Sequence, residues 1–97
     1  MDAAAERELI RRCRDGSDAA FRQLIDEYQT LAFALIRRTG ADPASAESLA
    51  QEVFLRVHRG LPYFRGQARL ATWIYRIVES VCAARGDSQT PSLDAAG

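Results

Sequence analysis

Apolar residues recur every three or four positions along most of the chain. Phe21, Leu24, Ile25, Tyr28, Leu31, Ala32, Leu35 and Ile36 share one stripe of a long helix. Ser17 or Asp18 can cap its start, and Gly40 can end it in the left-handed conformation that a side chain disfavours. Asp42-Pro43 then reads as an N-cap followed by proline in the first turn, where the missing N–H has no intrahelical partner to lose. Ala46, Leu49, Ala50, Val53, Phe54 and Val57 carry the second stripe until Gly60 and Pro62 stop it. Leu70, Trp73, Ile74, Ile77, Val78, Val81 and Cys82 form a third, running to about Arg85-Gly86. A shorter helix with Leu9, Ile10 and Cys13 precedes Asp15-Gly16. No stretch alternates with period two for long enough to suggest a strand, and there is no internal repeat.

Each stripe needs a neighbour to cover it, so the expected fold is all-α: a compact bundle of three long helices plus a short N-terminal helix. The expected domain is 1–85. Residues 86–97 have no period and many loop formers, and read as a flexible tail or the start of an inter-domain linker. A chain of 97 residues suits one core, with 47% hydrophobic and 27% charged residues in the ordinary soluble range.

Charge changes the picture through its distribution, because thirteen Arg balance thirteen acids overall. Residues 1–53 hold seven Arg against ten acids, a net of −3; residues 54–85 hold six Arg against Glu79 alone, a net of +5; residues 86–97 return −2. A basic block thus sits inside a neutral chain. Within it, residues 63–76 hold Tyr63, Phe64, Trp73 and Tyr75 with Arg65, Arg69 and Arg76, and no acid. Guanidinium groups neutralise phosphates, and flat rings are surfaces on which unpaired bases stack, so this interleaving around Gly66 suits a single-stranded nucleic acid. Arg69, Thr72, Arg76 and Ser80 fall opposite the apolar stripe, with Tyr75 beside them. The competing reading is that the rings fill the core and the arginines are solvated.

Other chemistries find no residues to carry them. Cys13 and Cys82 stand far apart, with no Cys-x-x-Cys and only His58 as a further soft ligand, so two reduced, half-buried thiols are expected rather than a disulfide or zinc site. His58 has no Ser or Cys at a recognisable motif spacing, and no phosphate loop, dinucleotide fingerprint or His-Glu-x-x-His occurs. Asp26, Glu27 and Glu52 lie on helices, where solvated or salt-bridge roles prevail. The expectation is therefore no catalytic residue, no cofactor and no metal. A first segment without a basic and then apolar stretch, and no apolar run of spanning length, give a cytoplasmic expectation with no membrane partner.

Three segments taken in order point further. Asp15-Gly16-Ser17-Asp18-Ala19-Ala20-Phe21 with Leu24 and Tyr28, then Ala46-Glu47-Ser48-Leu49-Ala50-Gln51-Glu52-Val53-Phe54-Leu55-Arg56, then Phe64-Arg65-Gly66 and Thr72-Trp73-Ile74-Tyr75-Arg76-Ile77 resemble the second conserved region of bacterial sigma factors. The likeness is to the extracytoplasmic-function group of the sigma-70 family and covers about residues 8–85. It implies a promoter-recognition domain of an alternative sigma factor, which binds core RNA polymerase and opens the minus-ten element for transcription initiation.

By this resemblance, Glu47, Ser48, Gln51, Glu52, Leu55 and Arg56 dock onto the clamp coiled coil of the largest polymerase subunit. Phe64, Arg65, Gln67 and Arg69, on the loop side, capture a base flipped from the non-template strand. Thr72, Trp73, Tyr75, Arg76 and Ser80 support the upstream edge of the melted region from the helix. The resemblance also implies an inhibitory anti-sigma factor as a partner. Three positions depart from the common pattern: Ser48 stands where an acid is usual, Glu79-Ser80 where many members read Arg-Asn, and His58 where an aromatic is common. Ser48 and Glu79 motivate the alternative of a helical interaction module bound mainly by an anti-sigma factor, with little DNA activity of its own. The second helical domain of the family, which reads the minus-thirty-five element, has no counterpart in these residues. The chain is thus expected to be an excised domain or a truncated protein, and with no net positive charge it needs polymerase to hold it against DNA.

Overall fold

A computed structural model describes residues 1–89, with side chains to residue 84. Its helices are α1 (Ala3–Arg14), α2 (Asp18–Arg37), α3 (Pro43–Gly60) and α4 (Leu70–Gln89), with a 3-10 turn at Leu61–Tyr63 between the last two. No strand occurs among the described residues. α2 is the central element and packs against α1, α3 and α4, while α3 also packs along α4.

The helix starts follow local chemistry. Ser17 Oγ accepts from Ala20 N at 3.1 Å and Asp42 Oδ1 accepts from Ser45 N at 2.8 Å. Of the two caps open for α2, the serine is the one used. α1 is capped by Asp2, whose Oδ1 accepts from Ala5 N at 2.8 Å. α1 ends at Gly16, with φ at +92°, as Ser17 N donates to Arg12 O at 3.1 Å and Gly16 N to Cys13 O at 3.0 Å, satisfying two carbonyls of the last turn. Gly40 also adopts the left-handed conformation expected of it, with φ at +93°.

The core is the meeting of the four stripes. Leu9, Leu24, Ala32, Ile36, Val53, Val57, Leu70 and Ile74 are fully enclosed. Phe21, Ile25 and Leu35 lie half-buried on the flank of α2. Leu31, read onto the same stripe, is exposed because no neighbouring helix reaches that side. Cys13 and Cys82 are free, half-buried thiols, and burial raises the Cys13 pKa. α4 continues through Gly86 to Gln89, beyond the stop expected near Arg85-Gly86; a glycine in a last turn costs only about 1 kcal/mol relative to alanine. The rest of the expected tail, residues 90–97, lies outside the described residues.

Candidate functional site

The segment that joins α3 to α4 is shaped by a tryptophan and a glycine. Phe64 N donates to Leu61 O at 3.1 Å, which turns the Phe64 ring inward, where it is 3% exposed. It packs on Trp73, with ring centroids 4.7 Å apart and planes tilted by 33°. Trp73 in turn lies so close to Gly60 that a Cβ there would stand 2.8 Å from its Cζ2. Gly60 is the last residue of α3, as the stop expected there implies, and its missing side chain also admits the indole.

Beyond Phe64 the loop is open. Arg65, Gly66 and Gln67 are exposed, Gly66 takes φ of +73°, and the Gln67 side chain folds back so that its Oε1 accepts from Arg65 N at 2.9 Å. The Arg65 guanidinium has no partner among the described residues. Tyr63, which the resemblance leaves without a role, is 76% exposed at the edge of this loop.

Arg69 behaves differently from Arg65. Its Nη2 lies 3.2 Å from Glu6 Oε1 and donates to Met1 O at 2.9 Å, and its Nε is 3.3 Å from both Glu6 oxygens. The Glu6 hydrogen bond and charge raise the Arg69 pKa further above its ordinary value. Glu6 is 5% exposed and also accepts from Leu70 N at 2.8 Å and from Tyr28 Oη at 3.4 Å. One carboxylate of α1 therefore caps the positive end of α4, neutralises Arg69 and reaches α2. Sequence reading missed it, although the signal was present: Glu6, Leu9, Ile10 and Cys13 fall at i, i+3, i+4 and i+7, placing an acid on the apolar face of α1.

The same cluster sets an alkaline limit. Burial first, and then the charge and hydrogen bond of Glu6, push the Tyr28 pKa up to about 12 from an ordinary 10. Above pH 10 the unfolded tyrosine loses its proton before the folded one, so stability is expected to hold below pH 10. It is then expected to fall by up to roughly 2–3 kcal/mol as pH rises to about 12. Denaturant melts at pH 9, 10.5 and 11.5 measure this, and Tyr28→Phe is expected to flatten the decline.

Along α4, Thr72, Tyr75, Arg76, Glu79 and Ser80 are exposed on one side, and Trp73 is half-buried. Arg76 has no partner among the described residues. Ser80 is engaged, since its Oγ accepts from Arg56 Nη1 at 3.4 Å. Arg56 also pairs with Glu52 at 3.1 Å, and both side chains are half-exposed. The two residue sets therefore meet along the α3–α4 seam. Glu47, Ser48, Gln51 and Leu55 are exposed on the outer side of α3, with Leu55 at 49%. Glu47 and Gln51 form the lip of a groove of about 630 Å³ between α2 and α3, floored by Ile25, Phe33 and Phe54. His58 packs edge-on against Phe21, with centroids 4.9 Å apart.

The fold also redistributes the charge. Of the arginines in the +5 block, Arg56 is offset by Glu52 and Arg69 by Glu6, both acids from outside it. Arg59, Arg65 and Arg76 remain as its unpaired cations among the described side chains. No group of three or more His, Cys, Asp or Glu that could hold a metal occurs among the described residues, nor does a helix long and apolar enough to cross a membrane.

The sequence matches sigma-70 region 2 over residues 24–85. The chain belongs to the sigma-70 region 2 family. Among its relatives, the RNA polymerase sigma-H factor of Pseudomonas aeruginosa is 38% identical over 72 residues, covering 74% of this chain and 37% of the relative. The ECF RNA polymerase sigma factor SigW of Bacillus subtilis is 29% identical over 91 residues, covering 92% and 49%, and the ECF sigma-E factor of Escherichia coli is 33% identical over 69 residues, covering 71% and 36%. The chain thus spans between about a third and a half of the length of the curated relatives it matches. In structure it is similar to an engineered region 2 of sigmaE solved in complex with GTAAAA: TM-score 0.80, 26% identity, with 92% of this chain and 94% of that chain covered. The family read from the motifs of α2, α3, the loop and α4 is the family found. Its match begins inside α2, so α1, with Glu6, lies ahead of it.

Proposed function

We propose that this region 2 domain belongs to an alternative bacterial sigma factor of the ECF group. In this reading it docks on core RNA polymerase and holds the non-template strand of the minus-ten element while the duplex opens. The observation that carries the reading is the likeness to the sigmaE region 2 in complex with GTAAAA, together with an open loop and helix side presenting Arg65, Gln67, Thr72, Tyr75 and Arg76. Phe64 and Trp73 serve as the rigid base beneath that face, because Phe64 is buried and Trp73 is wedged against Gly60. Arg69 holds the helix start and Ser80 holds Arg56, so neither is a primary strand contact.

Recognition here makes and breaks no covalent bond. Unstacking a base costs a few kcal/mol, and stacking is worth about 1–3 kcal/mol per base, so a small set of ring and donor contacts suffices to hold one open. The polymerase surface is the outer side of α3, where Glu47, Ser48, Gln51 and Leu55 are free of intramolecular work and the Glu52–Arg56 pair holds the far end. An anti-sigma protein competing for these surfaces is the second reading, favoured by Glu79, an exposed acid on the strand-binding side of α4.

One experiment separates the two. Core RNA polymerase is mixed with labelled GTAAAA, alone, with the chain, or with the Gln51→Ala/Leu55→Ala variant. The expected result is strand retention only with the wild-type chain, and loss of both polymerase binding and strand retention in the variant. Polymerase binding without strand retention favours the interaction-module reading. Equal polymerase binding by the variant contradicts docking through α3.

A further inference from the structure

Gly60 stands apart from Gly16, Gly40 and Gly66. Those three take positive φ, and a Cβ on any of them would meet nothing within 4 Å. Gly60 has φ of −89° and ψ of −18°, a right-handed conformation open to alanine, so its backbone does not call for glycine. Its surroundings do. A Cβ there would stand 2.8 Å from Trp73 Cζ2 and 3.2 Å from Cη2, both on the outer ring of the indole. The missing side chain is a seat for that ring, and a single methyl group displaces it, because a packed interior has no spare volume to absorb the overlap.

From this seat, contacts lead to the open loop. The indole packs on Phe64 with ring centroids 4.7 Å apart, and Phe64 is buried. The next residue is Arg65, whose N is held by Gln67 Oε1 at 2.9 Å. The far end of the loop is fixed independently: Leu70 N donates to Glu6 Oε2 at 2.8 Å, and Trp73 N donates to Arg69 O at 3.0 Å in the first turn of α4. With the start of α4 clamped, a push on the indole is relieved by turning the side chain outward rather than by moving the helix. Phe64 then loses its partner, and the base of Arg65 loosens.

We propose that Gly60 is a positioning residue for strand binding: it seats the Trp73 indole, which holds Phe64 and so sets where Arg65 stands. Gly60 acts through these rings and not by touching the strand. The proposal rests on the strand-binding reading above and brings the last residue of α3 into it, although the outer side of that helix belongs to polymerase docking.

The test measures the affinity for labelled GTAAAA of core polymerase carrying the wild-type chain, Gly60→Ala, Trp73→Phe or Gly60→Ala/Trp73→Phe. Gly60→Ala is expected to weaken strand affinity roughly fivefold to tenfold, the lower part of the range for one stacked base, with polymerase binding unchanged. A phenyl ring ends short of the Cζ2 and Cη2 positions, so in the Trp73→Phe background the same substitution is expected to change affinity by no more than about twofold. Trp73 is the chain's single tryptophan, and its fluorescence in the free chain reports the seat directly: in Gly60→Ala the emission is expected to move to longer wavelength and acrylamide quenching to rise. Tm is expected to stay within about 5 °C, because the better helix propensity of alanine opposes the loss of packing. Unchanged strand affinity or unchanged fluorescence in Gly60→Ala, or an equal loss in both backgrounds, overturns the proposal and leaves the strand-binding reading standing. A Gly60→Ala chain that does not fold makes the seat a requirement of folding and also overturns it. A wild-type chain that fails to retain GTAAAA on polymerase overturns both.

Discussion

Replacing Glu6 by alanine is expected to destabilise the domain by about 2–3 kcal/mol, a drop of roughly 10–20 °C in Tm for a chain of this size. The reasoning separates three partners. Leu70 N, at the buried first turn of α4, loses its acceptor, and an orphaned buried donor costs about 1–3 kcal/mol. The Tyr28 hydroxyl loses a weaker partner at 3.4 Å. Arg69 loses its counter-charge but contributes little, because its side chain is 56% exposed and can turn to water. Glu6→Gln keeps an acceptor for Leu70 N and is expected to recover about half of the loss, while Arg69→Ala is expected to cost no more than about 1 kcal/mol. Thermal unfolding followed by circular dichroism measures all three. Equal losses for Glu6→Ala and Arg69→Ala would mean that the ion pair, rather than the cap, stabilises α4.

Such a contact explains which features were readable in the sequence. The stripes, the Ser17 and Asp42 caps and the left-handed Gly40 depend on residues within a few positions of one another, and the structure repeats them. The family was equally legible, since its motifs are runs of neighbouring residues on α2, α3, the loop and α4. What stayed hidden depends on chain reversal. Arg69 read as an outward donor because its position on α4 is opposite the apolar stripe, yet Glu6, sixty-three positions away, engages it. Gly60 read as a stop because nothing local shows that Trp73 will lean on it. Ser80 read as free, and Arg56 from the neighbouring helix occupies it. Charge suffered most: a block counted as +5 loses Arg56 to Glu52, one turn back on α3 just outside the block, and Arg69 to the distant Glu6, while arginines from the acidic half join Arg65 in one cleft.

The second large effect concerns Arg65 and Arg76. Both are exposed, and neither has a side-chain partner among the described residues, so their removal touches no internal contact. Replacing both by alanine is expected to change stability by no more than about 0.5 kcal/mol, as for surface positions without structural work. Strand binding should respond quite differently. An arginine in contact with a base or phosphate is worth about 1–3 kcal/mol, so losing two is expected to weaken strand affinity by roughly 30-fold or more. The neutral total charge sharpens the effect, because little non-specific attraction remains to mask it. Arg59→Ala is the control: an equally unpaired, exposed cation of the same basic block, carried by α3 and not by the loop or α4.

The central claim is that the loop and the open side of α4 hold the minus-ten strand. Its most direct test is the affinity of labelled GTAAAA for core polymerase carrying the wild-type chain, the Arg65→Ala/Arg76→Ala variant or the Arg59→Ala variant, with polymerase binding and melting temperature checked for each. The account predicts tight binding by the wild-type and Arg59→Ala complexes and a loss of roughly 30-fold or more in the double variant at unchanged stability. Equal affinity in all three would contradict it.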